Sequence, residues 1–371
     1  MMLKKLLLPA CWLLAGCCFL SSGIAQTNII TTATPFLRIS PDARAGGMGD
    51  AGIAISPDAN AAYWNIAKTP FAASPTAISV TYTPWLPDIA KDVYMITLAG
   101  YHKLDEDQAF SAGIRYFNLG QIDFTDYTGT PTGSGRPFEF SLDLGYSRKI
   151  SGTLGLGVAL RYINSDLANG APPNNGVAYK AGSTIAADLS LFGDDTDENG
   201  QGARYGVSLS NLGGKIGYTD NAETKDFIPA NMGIGGAYTW AFQEIHKLTL
   251  TAEVNKLLVP AFPTDTSEDA RNEYHAQSVF SSWFKSFSDN AYSGSLGAEY
   301  TYDNMFSLRA GYYKETKQMG NRSYFTAGVG LKYQIYGFNF SYLAPSGNGV
   351  TRNPLSNTLR FSLLFDFGEQ E

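Results

Sequence analysis

An alternation of apolar with polar or small residues recurs from residue 76 to the end of the chain. In the stretch FEFSLDLGYSR, residues 138–148, every second position from Phe138 to Tyr146 is aromatic or leucine, and glutamate, serine, aspartate or glycine fills the positions between. Successive side chains of an extended strand point to opposite faces, so a period of two predicts strands with one apolar and one polar face. About fourteen such stretches can be counted, which predicts an all-β protein. The stretches lie near 76–85, 92–102, 108–118, 138–148, 154–162, 177–192, 203–212, 229–240, 246–256, 291–302, 306–314, 323–335, 337–344 and 357–367.

The composition of the two faces separates a membrane barrel from a soluble β protein. Each stretch has the length that a tilted strand needs to cross a bilayer. Glycine, serine, asparagine and charged residues occupy the second face, where a soluble sandwich would place another core. Aromatic residues such as Trp85, Tyr116 and Trp240 recur at strand ends, as in the aromatic girdles of outer-membrane barrels. We therefore expect a transmembrane antiparallel β-barrel of about 14 strands, with a soluble all-β protein as the alternative.

The connections between these stretches alternate in length. Outer-membrane barrels have short periplasmic turns and longer outer loops. With the N-terminus in the periplasm, the inner connections of this chain are short, apart from GDDTDENGQG at 193–202. That segment begins like a calcium loop, but the glutamate of the twelfth ligand position is replaced by Gly206, which favours a solvated acidic turn.

The first residues predict a secretory signal peptide. Two lysines precede an apolar run that ends at Leu20, and small residues follow up to Ala25. Residues 1–25 then form the signal peptide, and cleavage leaves Gln26 first. The alternative is a lipoprotein signal acylated at Cys17. All three cysteines lie within this segment, so the mature chain has neither disulfides nor thiolate ligands.

Charge and histidine content exclude several function classes. A net charge of -7 argues against nucleic acid, which requires basic surfaces. His102, His246 and His275 are isolated and lack companions at metal-ligand spacing. No paired catalytic carboxylates or Ser/His/Asp pattern stands out. We expect no enzymatic activity, no metal and no cofactor.

Residues 26–75 do not alternate and form a separate N-terminal segment ahead of the barrel, 76–371. They are rich in glycine, alanine and aspartate, and contain the consecutive motifs PDARAGGMGDAGIA and DANAAYWNIA. A compact segment of mixed polarity can fold into the barrel mouth, so we expect a plug, or hatch, with a disordered leader as the alternative. We expect Asp42, Arg44 and Asp50 to pair with charges of the barrel interior. The plug motif consists of Pro41, Asp42, Arg44, Gly47, Gly49, Asn60, Trp64 and Asn65.

These two motifs, followed by the predicted barrel, resemble the PorV outer-membrane proteins of the type IX secretion system of Bacteroidetes. That family is in turn similar to the long-chain fatty-acid transporter barrels. The resemblance covers essentially the whole mature chain. It implies a bacterial outer-membrane location and a shuttle or adaptor role without enzymatic chemistry.

The resemblance also implies partners. PorV-like proteins associate with the translocon barrel and receive cargo proteins that carry a C-terminal sorting domain. They deliver the cargo to a surface attachment complex, whose sortase links it to lipopolysaccharide in the outer-membrane lipid. The alternative function is that of a fatty-acid-transporter-like channel for small hydrophobic compounds, since a shared fold does not decide function.

The long connection at 257–290 carries the candidate partner-binding residues. Its apolar side chains are spaced for an amphipathic helix and are unusually numerous for a surface loop. They form either an exposed docking patch or a lid that folds down over the barrel mouth. The candidates are Tyr274, Phe280, Trp283, Phe284 and Phe287.

Overall fold

The computed structural model describes residues 29–86, 90–170, 179–219, 225–243, 245–265, 267–344 and 357–368. The predicted signal peptide, 1–25, lies outside the described residues. No helix in the described part of the chain is long and apolar enough to cross a bilayer.

Fourteen antiparallel strands form a closed barrel, and the first strand pairs with the last. The predicted all-β barrel of about 14 strands is therefore confirmed. A separate two-stranded hairpin, β4 and β5, interrupts the connection between β3 and β6. The strands are β1 (Thr76–Pro84), β2 (Tyr94–Lys103), β3 (Gln108–Asn118), β4 (Ile122–Thr125), β5 (Pro131–Gly135), β6 (Phe138–Lys149), β7 (Leu154–Asp166), β8 (Gly182–Thr196), β9 (Gly202–Gly213), β10 (Asn231–Phe242), β11 (His246–Leu257), β12 (Tyr292–Tyr302), β13 (Phe306–Glu315), β14 (Ser323–Tyr333), β15 (Tyr336–Ala344) and β16 (Leu359–Phe367).

The two faces of the wall follow the alternation in the sequence. On β1, Ile78, Val80 and Tyr82 point outward and are exposed. Ser79 and Thr81, between them, point inward and are buried. A polar inner face and an apolar outer face suit a barrel whose outside meets lipid.

Short turns join the strands at one end of the barrel, which we call the turn end, and long connections lie at the other, the loop end. The prediction of a long inner connection at 193–202 was wrong, because β8 continues to Thr196 and only residues 197–201 form a turn. Asp197 closes this turn by accepting hydrogen bonds from the backbone N–H groups of Asn199 and Gln201, both at 2.9 Å. The hairpin β4–β5 was expected to be loop. It forms because Asp126 accepts backbone hydrogen bonds from residues 128 and 130, which makes a tight turn.

Residues 29–75, here called the lumen segment, run through the inside of the barrel. At the loop end, the N–H of Ile30 donates to Gln318 O at 2.8 Å and that of Ala33 donates to Phe227 O at 2.9 Å. The segment then descends and joins β1 at the turn end. Its helical turns are a 3-10 helix (Pro35–Arg38), α1 (Ala43–Gly46), α2 (Ala61–Trp64) and a second 3-10 helix (Ile66–Phe71).

Apolar packing holds the top of the lumen segment against the wall. Phe36 and Leu37 are almost fully buried and belong to one cluster with Phe117, Ile163 and Ile216. The rings of Phe36 and Phe117 are stacked at 6.5 Å. Burial of such side chains contributes roughly 1.5–3 kcal/mol each, so this cluster anchors the loop-end half of the segment.

Candidate functional site

A buried ion-pair network joins the middle of the lumen segment to the wall. Arg44, on α1, donates two hydrogen bonds to the Glu299 carboxylate at 2.8 and 3.0 Å. It also reaches Asp58 of the lumen segment at 3.3 Å. Arg309 donates to the same Glu299 at 2.6 Å, so one carboxylate links the segment to two strands of the wall. Paired charges of this kind are tolerated inside a barrel because each side chain is satisfied.

The end of the glycine motif makes a second set of contacts with the wall. The Tyr324 hydroxyl donates to Asp50 at 2.6 Å, and Arg360 lies 3.5 Å from the other oxygen of this carboxylate. The N–H of Gly49 donates to the Thr326 hydroxyl at 2.8 Å. Arg44 and Asp50 therefore both contact the barrel interior.

Asp42 departs from the expected pairing with the barrel. Its carboxylate accepts hydrogen bonds from the Trp64 indole N–H at 2.7 Å and from the N–H of Ala45 at 2.9 Å, both within the lumen segment. The second bond caps α1. Burial raises the pKa of the Asp42 carboxyl. Asp42 thus fixes the internal shape of the segment.

The remaining plug-motif residues lie inside the barrel. Asn65 donates to the Leu191 carbonyl of β8 at 2.9 Å, and Asn60 is buried beside Asp58. A side chain at Gly49, whose φ is +70°, would meet the Tyr312 backbone at 2.7 Å. Pro41 and Gly47 are also buried.

The sequence placed glycines on the inward face of the wall, but sequence reasoning missed their close contacts with the lumen segment. A Cβ at Gly311 would collide with the backbone of Met48 and Gly49, and one at Gly297 would meet Met48 at 2.7 Å. A Cβ at Gly157 would meet Ile66 at 2.5 Å. Glycines at the inward positions of several strands give the lumen segment room to approach the wall, and their position in the alternation was a usable signal.

The lumen segment lies between two cavities. A cavity of about 270 Å³ at the loop end has aromatic side chains, including Phe36 and Trp85, beside the guanidinium groups of Arg38 and Arg322. A second cavity, of about 520 Å³, lies at the turn end and is bordered largely by charged and polar side chains. Charged side chains therefore line both cavities, together with apolar ones.

The first half of the 258–291 connection is folded around Tyr274. This residue, on α3 (Glu268–Ala276), is 5% exposed and packs its ring at 4.8 Å from Phe262 and 5.5 Å from Phe227. Burial raises the pKa of Tyr274 to about 12. Lys215 donates to the backbone carbonyls that end the helix, at 2.7 Å. Tyr274 therefore supports the connection from inside and is absent from its surface.

The second half of this connection presents aromatic side chains to the outside. On α4 (Val279–Lys285) and the turn after it, Phe280, Phe284 and Phe287 are 66%, 63% and 50% exposed. Phe280 packs edge-on against Phe284 at 5.0 Å, and Trp283 is half-buried behind them. The exposed rings of Phe280, Phe284 and Phe287 are here called the α4 aromatic face. Exposed clusters of this type commonly mark interaction sites.

Among the residues described, no group of three or more His, Cys, Asp or Glu side chains is arranged to hold a metal ion. The calcium-like motif lies partly on β8 and partly in the Asp197 turn. The lumen contacts and the α4 aromatic face remain as candidate functional features of the described residues.

Comparison with protein families identifies the family of this barrel. The family model described as type IX secretion system protein PorV matches residues 22–265, more than half of the chain. The chain belongs to the PorV family. It is accordingly an outer-membrane barrel of the bacterial type IX secretion system, as the sequence predicted. No curated protein sequence matches it significantly.

Solved structures share the fold of this PorV family member at low sequence identity. The Ralstonia pickettii toluene transporter TbuX is 12% identical, with a TM-score of 0.55 over 89% of this chain and 98% of its own. The P. putida toluene transporter TodX is 14% identical, with a TM-score of 0.52 over 90% and 99%. A Pseudomonas aeruginosa FadL homologue is 11% identical, with a TM-score of 0.50 over 92% and 100%. These likenesses concern the fold alone.

Proposed function

We propose that this barrel is a carrier of the type IX secretion system. It receives cargo with a C-terminal sorting domain from the translocon barrel and delivers it to the sortase-containing attachment complex at the cell surface. The loop end faces the cell exterior in this proposal, so the long connections meet the partners. The chemistry of attachment belongs to the complex, and the barrel contributes recognition only.

The observation that carries the proposal is the α4 aromatic face. Phe280 and Phe284 on α4 and Phe287 in the turn after it are each at least half exposed, and Ser278 caps the start of α4. The neighbouring α3 buries its tyrosine, and Val279 at the start of α4 packs against the same core, so the connection is folded without the three phenylalanine rings. Aromatic residues on a firmly supported surface are typical of the centres of protein interfaces.

The lumen segment, as part of the predicted plug at 26–75, has the role of closing the barrel in this proposal. Its ion pairs and glycine contacts reach several strands of the wall. A channel for small hydrophobic compounds, the alternative function, requires an apolar route through the lumen. The charged cavity at the turn end offers no such route, which favours the carrier over the channel.

A pull-down from the native outer membrane in mild detergent tests the proposal. The variant Phe280→Ser/Phe284→Ser/Phe287→Ser removes the α4 aromatic face, and Ser281→Ala/Lys285→Ala on the same helix is the matched control. We expect the wild type and the control to recover a very large barrel and proteins with C-terminal sorting domains. The triple variant should lose at least about 30-fold of this recovery, because hot-spot rings contribute about 2 kcal/mol or more.

Heat modifiability, the difference in gel mobility between heated and unheated samples, verifies that each variant is a folded barrel. If all three proteins were recovered without protein partners and with bound fatty acid, the carrier would be rejected in favour of the channel.

A further inference from the structure

The outward face of the wall changes character where β12, β13 and β14 reach the loop end. Tyr312 and Phe325 pair across β13 and β14 with ring centroids 4.9 Å apart, and Phe325 is 59% exposed. The next outward position on β13 is Lys314, which is also exposed. Aromatic rings with a lysine directly beyond them are typical of the level at which a membrane protein meets lipid headgroups.

Small neighbours leave space around Lys314. Its partners in the strand register are Gly294 on β12 and Ser323 on β14. A Cβ built at Gly294 would have a single atom, Glu253 O at 3.9 Å, within contact range. Tyr292, two residues before Gly294, is exposed at the outer edge of this recess. The recess thus lies between Tyr292 and the Tyr312 pair, with an ammonium group at its side.

Charge in this region contrasts with the rest of the molecule. The connection 316–322 contains Lys317, which is exposed, and Arg322, but no carboxylate, although the whole chain has a net charge of -7. Glu315 is buried on the inward face and is already bound by Arg38 and Arg322. In the described part of the chain, neither Lys314 nor Lys317 forms an ion pair with a carboxylate.

The other strands that the structure describes lack this combination. Lys256 is the second basic residue in the outward register at the loop end among the described strands, but it is 1% exposed. Its ammonium group donates to the carbonyls of Leu257 and Asp289 and lies 5.0 Å from the Tyr292 ring. Lys256 therefore supports the Tyr292 side of the recess and leaves Lys314 and Lys317 as the accessible cations.

We propose that this recess, with Lys314 and Lys317, binds the phosphorylated headgroup of an outer-leaflet lipid. The apolar band below it continues directly into the lipid-facing wall through Leu296, Tyr312 and Phe325, so acyl chains and headgroup have contiguous surfaces. A basic side chain near an anionic lipid surface contributes about 1 kcal/mol. The lipid would thus fix one side of the barrel in the membrane and keep the loop end at a constant height.

Binding to the full mature chain in detergent micelles tests this site by native mass spectrometry. The probes are a bisphosphorylated lipid A, the same lipid without phosphates, and inorganic phosphate. The variant Lys314→Gln/Lys317→Gln should bind the phosphorylated lipid about 30-fold more weakly than wild type, and Lys314→Arg/Lys317→Arg should retain binding. Lys91→Gln/Lys225→Gln removes two exposed lysines from other connections and should have no effect.

Three results would overturn the proposal. Equal binding of the phosphate-free lipid would show that the site binds acyl chains and does not recognise the headgroup phosphates. An equal loss of binding in the Lys91→Gln/Lys225→Gln control would show that binding depends only on the net charge of the protein. Binding of inorganic phosphate to the same lysines with similar affinity would identify a simple anion site.

Discussion

The lumen segment and the 258–291 connection are both built from short helices outside the sheet, but they use their side chains in opposite ways. The lumen segment directs Arg44 and Asp50 into the wall, where each finds a partner. The connection buries Tyr274 and leaves Phe280 and Phe284 exposed. The first is completed by contacts within the molecule, whereas the second is complete as a fold and still has apolar surface available. Under the proposed function, we therefore expect the lumen segment to hold itself in the barrel and the connection to recognise partners.

The largest expected effect comes from removing the charge that holds the lumen segment. Arg44→Met removes the guanidinium that pairs with Asp58 and leaves Glu299 with Arg309 alone. Breaking a buried pair on one side costs about 3–5 kcal/mol, so the segment should undock. Hydrogen exchange of residues 29–75 should rise strongly in this variant. Arg136→Met, at an exposed position, is the control, and equal protection in both variants would contradict the role of the pair.

Alkaline pH should strengthen docking of the lumen segment. Burial lowers the pKa of Lys68 from 10.5 to about 8, although the Asp58 carboxylate opposes this shift. Its ammonium group donates to the Gly52 carbonyl at 2.7 Å. Between pH 8 and 10.5 the docked state binds fewer protons than the undocked state, so docking gains up to about 3 kcal/mol as the pH rises through this window.

Protease protection of the lumen segment, measured from pH 7 to 10.5, checks this prediction. Below pH 8 the contribution of Lys68 should be constant, because the lysine is protonated in both states. Lys68→Met should show no gain across the window. A gain of the same size in Lys68→Met would assign the pH dependence to other groups.

A smaller loss should follow from filling the space that the wall leaves for the lumen segment. In Gly311→Ala, the new methyl group overlaps the backbone of Gly49, and overpacking of this kind costs about 1–3 kcal/mol. Gly236→Ala is the matched control on β10, since a Cβ there meets nothing within 4 Å. Thermal unfolding and protease protection should both separate the two variants, and indistinguishable behaviour would argue against close docking.

The smallest effect on stability is expected on the α4 aromatic face. Phe284→Ser should change the free energy of unfolding by less than about 0.5 kcal/mol, because the ring is 63% exposed. Partner recovery should nevertheless fall, as proposed for this face. A large loss of stability would indicate that Phe284 completes the fold, and the distinction between the two segments would then disappear.

The barrel could be predicted from the sequence because its alternation is local. In each strand with a two-residue period, such as 138–148, the local sequence predicts which side chains face inward and which face outward. The β4–β5 hairpin was missed, since β4 (IDFT) has only four residues and β5 (PTGSG) has no large apolar side chain to continue the alternation. The sequence placed β8 at 177–192, whereas the strand runs from Gly182 to Thr196. Its end was missed because Gly193 and Asp194 resemble turn residues although they continue the strand.

The contacts of the lumen segment could be anticipated in kind but not in detail. The charged residues on the inner face of the barrel predicted that Arg44 and Asp50 would pair with the wall. The partner of each residue depends on the path of the lumen segment inside the barrel, which the sequence does not give. Asp42 shows the limit, since its nearest donor is the Trp64 indole, more than twenty positions away along the chain. On 258–291, spacing indicated a helix, whereas the burial of Tyr274 depends on Phe227 in another connection.

The path of the lumen segment has a consequence for the order of assembly. Its described beginning contacts Gln318 and Phe227 at the loop end, and its last residues enter β1 at the turn end, so it passes through a ring that β1 and β16 close together. Threading a finished ring would require the chain's beginning to travel the full length of a filled lumen. Enclosure requires only that the segment dock on the inner face while the β1–β16 seam is still open. We therefore expect the β1–β16 seam to close last, so that closure encloses the docked segment inside the barrel.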